Sequence, residues 1–425
     1  MPAAQLAAPL SVLANELRGS AILGIADEIR GLTAKGEKIL NLTVGDFHPQ
    51  QFRIPRGLEE AIIEALRAGE TNYPPPIGIE ALRRAVCGFY AHRGGRELPI
   101  ESVLIAGGAR PVIYAVYRAL VDAGDKVVFA VPGWNNEYYC DLVGAKQARV
   151  ACGPATAFLP TAAMLRPHLR GARMLALNSP LNPTGTSFSA PALAEILDAV
   201  LEENQRRGAE ERPLYLLYDQ VYWMITTPGT VHPDPGVLRP AILPYLVTVD
   251  AISKCFAATG LRVGWAIAPP EIVKALNNIN GHVGAWAPRP EQIATAKLLN
   301  DHAAVDAYIE SMRREAAARL DTIHRGLQTM KAAGLPVDSL EPQGAIYASA
   351  RFALHGRRTP QGQLLESDDD IRKYLLREAK LGAVPFGAFG AQPGAGWFRL
   401  SIGVTSVAEL EALMPRLQRA VEAAS

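Results

Sequence analysis

Five short apolar runs through the middle of the chain constrain its fold more than any other feature. They are Val103-Leu104-Ile105-Ala106, Lys126 to Val131, Arg173 to Leu177, Leu214 to Tyr218, and Val247-Thr248-Val249. Each ends in polar or glycine residues, and the segments between them carry helical spacing. Strands that are apolar throughout need cover on both faces, and βα repetition supplies it, so the expected fold is α/β with a mostly parallel sheet. Ligands of such sheets lie beyond the carboxyl ends of the strands. That rule alone gathers Gly107, Trp134, Asn182, Asp219 and Lys254 into one crevice.

The last run leads into the most informative stretch, VTVDAISKCFAATGLRVGWA, from Val247 to Ala266. Lys254 follows a strand end and is surrounded by Cys255, Ala257 and Ala258. Most lysines are solvated. One held among small apolar residues is partly desolvated, which lowers its pKa and makes it a candidate Schiff-base amine. The pattern SKxFxxTGxRxGW, with Lys254, Gly260, Arg262 and Gly264, resembles the cofactor-lysine signature of the class I/II aminotransferases, the aspartate-aminotransferase-like enzymes of fold type I that use pyridoxal 5'-phosphate.

The resemblance runs along most of the chain. Asn178 to Gly185 reads NSPLNPTG, similar to the family's N-x-P-x-N-P-T-G run. Tyr218-Asp219-Gln220-Val221-Tyr222 fits its YDxxY. Asn72 to Ala85 is similar to its Y-x-x-x-G-x-x-x-L-R segment, and Phe398 to Gly403, FRLSIG, to the strand whose arginine grips a substrate carboxylate. Taken alone, Gly45 reads as a turn glycine, Tyr73 as a packed loop residue, Trp134 as a core tryptophan and Asp219 as a helix N-cap. The resemblance implies roles for each. Lys254 would hold the cofactor aldehyde and act as general base and acid. Asp219 would pair with the ring nitrogen, and Asn182 and Tyr222 with the ring oxygen. Trp134 would stack on the ring. Arg262, Ser253, Gly107, Gly108 and Ala109 would meet the phosphate, the glycines through backbone N–H groups at a helix start. Tyr73 would reach a partner's phosphate across a homodimer, and Gly45, Trp134, Asn182 and Arg399 would meet the substrate. One position departs: where many relatives have Ser or Thr, three residues before the lysine, Ala251 stands, and Ser253 is the candidate replacement.

The same resemblance implies a mostly parallel seven-stranded sheet in a large domain, 51–315, with a smaller α+β domain, 316–425, and residues 1–50 as an N-terminal arm and part of the small domain. Arg289 reads as a solvated charge rather than a substrate contact. The implied reaction is transamination between an L-amino acid and a 2-oxo acid. The alternative is another pyridoxal-phosphate reaction on the same scaffold: α,γ-elimination, cyclisation or C–C bond formation, with S-adenosylmethionine a plausible substrate. A net charge of +1 gives no electrostatic case for nucleic acid or an anionic membrane, and little weight falls on a cofactor-binding regulator. The four cysteines form no CxxC pair, so neither a metal site nor a disulfide framework is expected. No basic start precedes an apolar run at the N-terminus and no run approaches a membrane span, so the cytoplasm is the expected compartment. The substrate side chain is not legible.

Overall fold

The structure, a computed structural model, describes residues 10–17, 19 and 21–425. The first nine residues of the expected N-terminal arm lie outside the described residues. Among the described residues, thirteen strands form three sheets: β1 (Leu40–Asn41), β2 (Val103–Ala106), β3 (Lys126–Val131), β4 (Lys146–Ala151), β5 (Ala172–Asn178), β6 (Tyr215–Asp219), β7 (Leu246–Ala251), β8 (Gly264–Ile267), β9 (Val337–Ser339), β10 (Tyr347–Phe352), β11 (Leu381–Gly382), β12 (Val384–Pro385) and β13 (Trp397–Ser401).

The large sheet has seven strands in the order β2-β8-β7-β6-β5-β3-β4. The neighbours from β7 through β6, β5 and β3 to β4 are parallel, and β8 alone runs against both β7 and β2. Successive side chains of β3 part to opposite faces, as strand geometry requires. Val127 and Phe129 pack with Val112, Val116 and Leu276, from the helices Ala109–Leu120 and Pro270–Val283. Val128 packs with Leu165, Ile196 and Val200, from the helices Ala162–Leu169 and Ala190–Arg207. This double cover is why the central strands read as unbroken apolar runs. Chain order reverses direction across the sheet between β3 and β5, the kind of switch point that opens a ligand crevice.

A four-stranded antiparallel sheet, β12-β13-β10-β9, forms the second layer, and β1 pairs in parallel with β11. The single helix His302–Ala332 crosses the expected boundary at 315/316, and its Leu320, Ile323 and Leu327 join the core containing Tyr347 and Leu413. Among the described residues, no helix is long and apolar enough to cross a membrane, and no cluster of His, Cys, Asp and Glu could hold a metal ion.

Candidate active site

The strand ends converge on a cavity of about 380 Å³. Its walls include Gly45, Asp46, Ala109, Arg110, Trp134, Asn178, Asn182, Asp219, Tyr222, Ser253, Lys254, Arg262, Tyr347 and Arg399. Most residues expected from the sequence therefore meet in one place.

Lys254 lies on the single helical turn Ile252–Cys255 directly after β7. Its Nζ donates to Gly45 O at 2.6 Å and stands 5.8 Å from the centre of the Tyr222 ring. Burial lowers its pKa to about 8, against the nearby Asp46 carboxylate, which raises it. Asp219 ends β6. Burial pushes its carboxyl up to about 6, while the Val221 N–H, 3.2 Å from its Oδ1, and the Lys254 charge pull it down. A carboxylate so placed calls for a cationic partner in the cavity.

The loop after β5 is fixed by its own asparagine. Asn178 donates to Asp219 O at 2.8 Å and accepts from Asn182 N at 2.8 Å. Asn182 Oδ1 accepts from Arg399 Nη1 at 3.0 Å, which leaves the Asn182 amide N–H₂ as a donor. Arg399 is 1% exposed. Its other terminal nitrogen donates to Thr43 O, its guanidinium carbon lies 4.7 Å from the centre of the Tyr347 ring and 4.8 Å from that of Phe389, and its Nε has no partner among the described residues. Burial lowers the Arg399 pKa, yet guanidinium stays charged, and its planar fork suits a carboxylate.

At the anion end, Arg262 donates to Thr259 O at 2.6 Å and Gly107 O at 3.2 Å. Gly108 has φ +101°, and a Cβ there would stand 2.3 Å from Arg262 Nη2. Only glycine lets the guanidinium approach this turn. The expectation that Gly107 and Gly108 offer free N–H groups is corrected: Gly107 N donates to Ala285 O at 2.8 Å and Gly108 N to Ala106 O at 2.7 Å. Neither glycine is among the cavity-lining residues. The helix Ala109–Leu120 instead presents the amides of Ala109 and Arg110, which no preceding turn can satisfy. Ser253 lines the cavity beside them, and Ala251 is buried in β7.

Tyr73 is absent from this cavity. It is 81% exposed and packs edge-on against Trp286, ring centres 5.1 Å apart. Arg289 pairs with Glu70 at 2.6 Å. Cys255 is buried, its Sγ–H donating to Val221 O at 3.2 Å, as a small packed side chain does.

Several site residues escaped the sequence. Tyr347 of β10 places its hydroxyl 2.6 Å from that of Tyr222, and a Cβ at Gly45 would come within 2.3 Å of it. Asp46 accepts from Thr259 Oγ1 at 2.6 Å. Arg110 lies 5.2 Å from the centre of the Trp134 ring. Ile22, Leu23 and Ala26, from the helix Ala21–Ala34, form an apolar wall. All of these depend on contacts between distant segments.

The donor set fits pyridoxal phosphate. The lysine amine has a lowered pKa, the carboxylate is half-buried with its pKa raised, and a glycine-made cradle with an arginine and helix N-terminal amides suits a dianion. Comparison with known proteins agrees. The family model described as aminotransferase class I and II matches residues 37–417. The aspartate aminotransferase of Rhizobium meliloti (strain 1021) is 28% identical over 408 residues, 95% of this chain and 94% of that one. A probable aspartate/prephenate aminotransferase of Rhizobium leguminosarum bv. phaseoli is 27% identical over 411 residues, 95% of this chain and 96% of that one. Among solved structures, the Rhizobium meliloti aspartate aminotransferase superposes with a TM-score of 0.87 at 27% identity, covering 98% of this chain and 99% of that one. An aromatic aminotransferase from Pyrococcus horikoshii OT3 gives 0.80 at 27% identity, covering 93% and 98%.

Proposed function

The chain belongs to the class I and II aminotransferases, pyridoxal-phosphate enzymes that pass an amino group between an amino acid and a 2-oxo acid, and we propose that Lys254 is the amine at which it does so. The observation that carries this reading is a half-buried amine with a pKa of about 8, in one cavity with the Asp219 carboxylate and the Arg399 guanidinium. Pyridoxal phosphate, when bound, supplies an aldehyde that condenses with amines and a cationic ring that draws electron density from the substrate's Cα.

In this reading each side chain has one task. Lys254 would hold the aldehyde, and its amine, once free, is placed to take the proton from the substrate's Cα and hand it on. Asp219, as a carboxylate, keeps a proton on the ring nitrogen. Asn182 and Tyr222 donate to the ring oxygen, and Tyr347 orients the Tyr222 hydroxyl. Trp134 covers one ring face. Arg262, Ser253 and the amides of Ala109 and Arg110 would hold the phosphate, while Gly108 gives Arg262 room. Arg399 grips the substrate's α-carboxylate beside Gly45, excluding water through its own burial.

The substrate proposed is a dicarboxylic amino acid. Relatives named for aspartate support it, as does Arg110, which lines the cavity with no ion-pair partner among the described residues. Tyr73, exposed beside Trp286, supports a homodimer in which each copy completes the other's phosphate site. The pairing of β1 with β11 supports reading part of 1–50 with 316–425 as a smaller body on a larger one, 51–315. The four free cysteines suit a reducing compartment such as the cytoplasm.

Lys254→Ala should abolish the visible absorbance of the bound cofactor together with activity, and a variant that keeps that absorbance rules the assignment out. Arg110→Met should lower kcat/KM for aspartate about tenfold while leaving alanine within about twofold. Equal losses for both would remove the dicarboxylate reading alone.

A further inference from the structure

The parallel ladder between β6 and β7 ends at the pair Asp219–Val249. Beyond it, the two chains diverge into the segments that carry Tyr222 and Lys254. One more backbone bond, Gln220 N to Val249 O at 3.0 Å, follows. After that, a side chain takes over. Asp250, 0% exposed, accepts the Ala251 N–H on Oδ1 at 2.7 Å. Its Oδ2 accepts the Trp223 indole N–H at 2.8 Å and the Tyr90 hydroxyl at 3.0 Å. Gln220 Nε2 donates to that same Tyr90 oxygen at 3.0 Å, and the Tyr90 and Trp223 rings stack with centres 5.7 Å apart.

We propose that Asp250 is a positioning residue, a buried carboxylate that ties the segment bearing Tyr222 to the turn bearing Lys254. Trp223 adjoins Tyr222, and Ala251 opens the turn on which Lys254 sits, so one carboxylate holds both. Asp250 is not among the cavity-lining residues, so it touches no substrate and acts only through these neighbours. A buried carboxylate is retained only where donors saturate it. Here three do, one from each of the two catalytic segments and one from the helix Glu80–Gly94 that backs them. The other titratable groups about it, Asp219 and Cys255, supply no donor to its oxygens.

The inference rests on the roles proposed for Lys254 and Tyr222, and two variants test it in the cofactor-loaded protein. Asp250→Asn keeps the shape but offers a donor on one side, so it must lose the bond either to Trp223 or to Ala251. Trp223→Phe keeps the ring and loses only the N–H. Each should lower kcat about tenfold with KM for the amino donor within about twofold, since the loss concerns alignment rather than binding. The combined variant should lose less than the sum of the two single losses, because Asp250 and Trp223 belong to one hydrogen-bond network. The pH midpoint of the cofactor's visible absorbance should rise by about half a unit in both as Tyr222 loosens its hold on the ring oxygen. If Asp250→Asn does not fold, Trp223→Phe decides by the same readouts. Folded variants with kcat within about twofold of the native value, additive losses, or an unmoved midpoint overturn the proposal. A Lys254→Ala protein that kept its visible absorbance would instead strike the underlying reading, so the two failures are told apart.

Discussion

At the scale of the single residue, function here is bought at the expense of the apoprotein. Lys254 sits where burial lowers its pKa to about 8, below the ordinary lysine value. Between pH 8 and the ordinary value, the unfolded chain therefore holds a proton that the folded chain has released. By linkage, stability rises with pH through that window, and below it the folded apoprotein bears the full penalty of a confined ammonium. Lys254→Met removes that penalty. Its apoprotein should melt about 3 °C above the native apoprotein at pH 7, and the gap should close as pH climbs through 8 toward 10. Calorimetry on the two apoproteins checks this, and a gap that widens with pH would mean that Lys254 is stabilised by Asp46 more than it is strained by burial.

The elements divide into those that carry chemistry and those that close the site. The strands β2, β3, β5, β6 and β7 each deliver a residue at the carboxyl end, and the helix Ala21–Ala34 covers them without supplying a polar group to the cavity. Ile22 anchors that helix among Phe386, Phe389 and Trp397, and Ile29 lies against Gly382 so closely that a Cβ there would stand 2.6 Å from its Cδ1. Removing residues 1–34 should raise KM for the amino donor about tenfold while leaving cofactor absorbance in place, because the lost wall faces the substrate and not Lys254 or Asp219. Loss of the cofactor on truncation would show that the helix supports the fold itself. The chemistry-bearing elements were legible because a double-covered parallel strand is apolar from end to end and its function begins where the polarity does. Lys254, Asp219 and Asn182 could each be read from a few consecutive residues. The reversed direction of β8 could not, since GWAI is as apolar as its parallel neighbours. Nor could the place of the helix Ala21–Ala34, since mixed helical spacing does not say what a helix covers. Gly107 and Gly108 were read as anion donors because a strand–glycine–helix turn has that look. Their N–H groups point back to Ala285 and Ala106, and only the close approach of Arg262 reveals the task of Gly108.

For the whole molecule, two distant parts of the sequence must meet before the site exists. Arg399 on β13 and Tyr347 on β10 belong to the smaller sheet, yet their partners, Asn182 and Tyr222, follow strands of the larger one. FRLSIG gave away Arg399 by its pattern, whereas Tyr347 is one of several buried tyrosines and no local pattern separates it from the core. The role proposed for Tyr73 would extend the same logic beyond one chain. A tyrosine 81% exposed is out of place for a phosphate ligand in its own subunit, but well placed to serve a second copy. Co-expression of a Lys254→Ala chain with a Tyr73→Ala chain tests this. A hybrid dimer carries one site with both residues intact, Lys254 from one chain and Tyr73 from the other, and one site with neither. With random pairing about a quarter of all sites should be whole, so at limiting cofactor the mixture should show more visible absorbance and more activity than the mean of the two parent proteins. A mixture that merely averages its parents would mean that each site is built from one chain, and Tyr73 would then be a surface residue packed on Trp286 and nothing more.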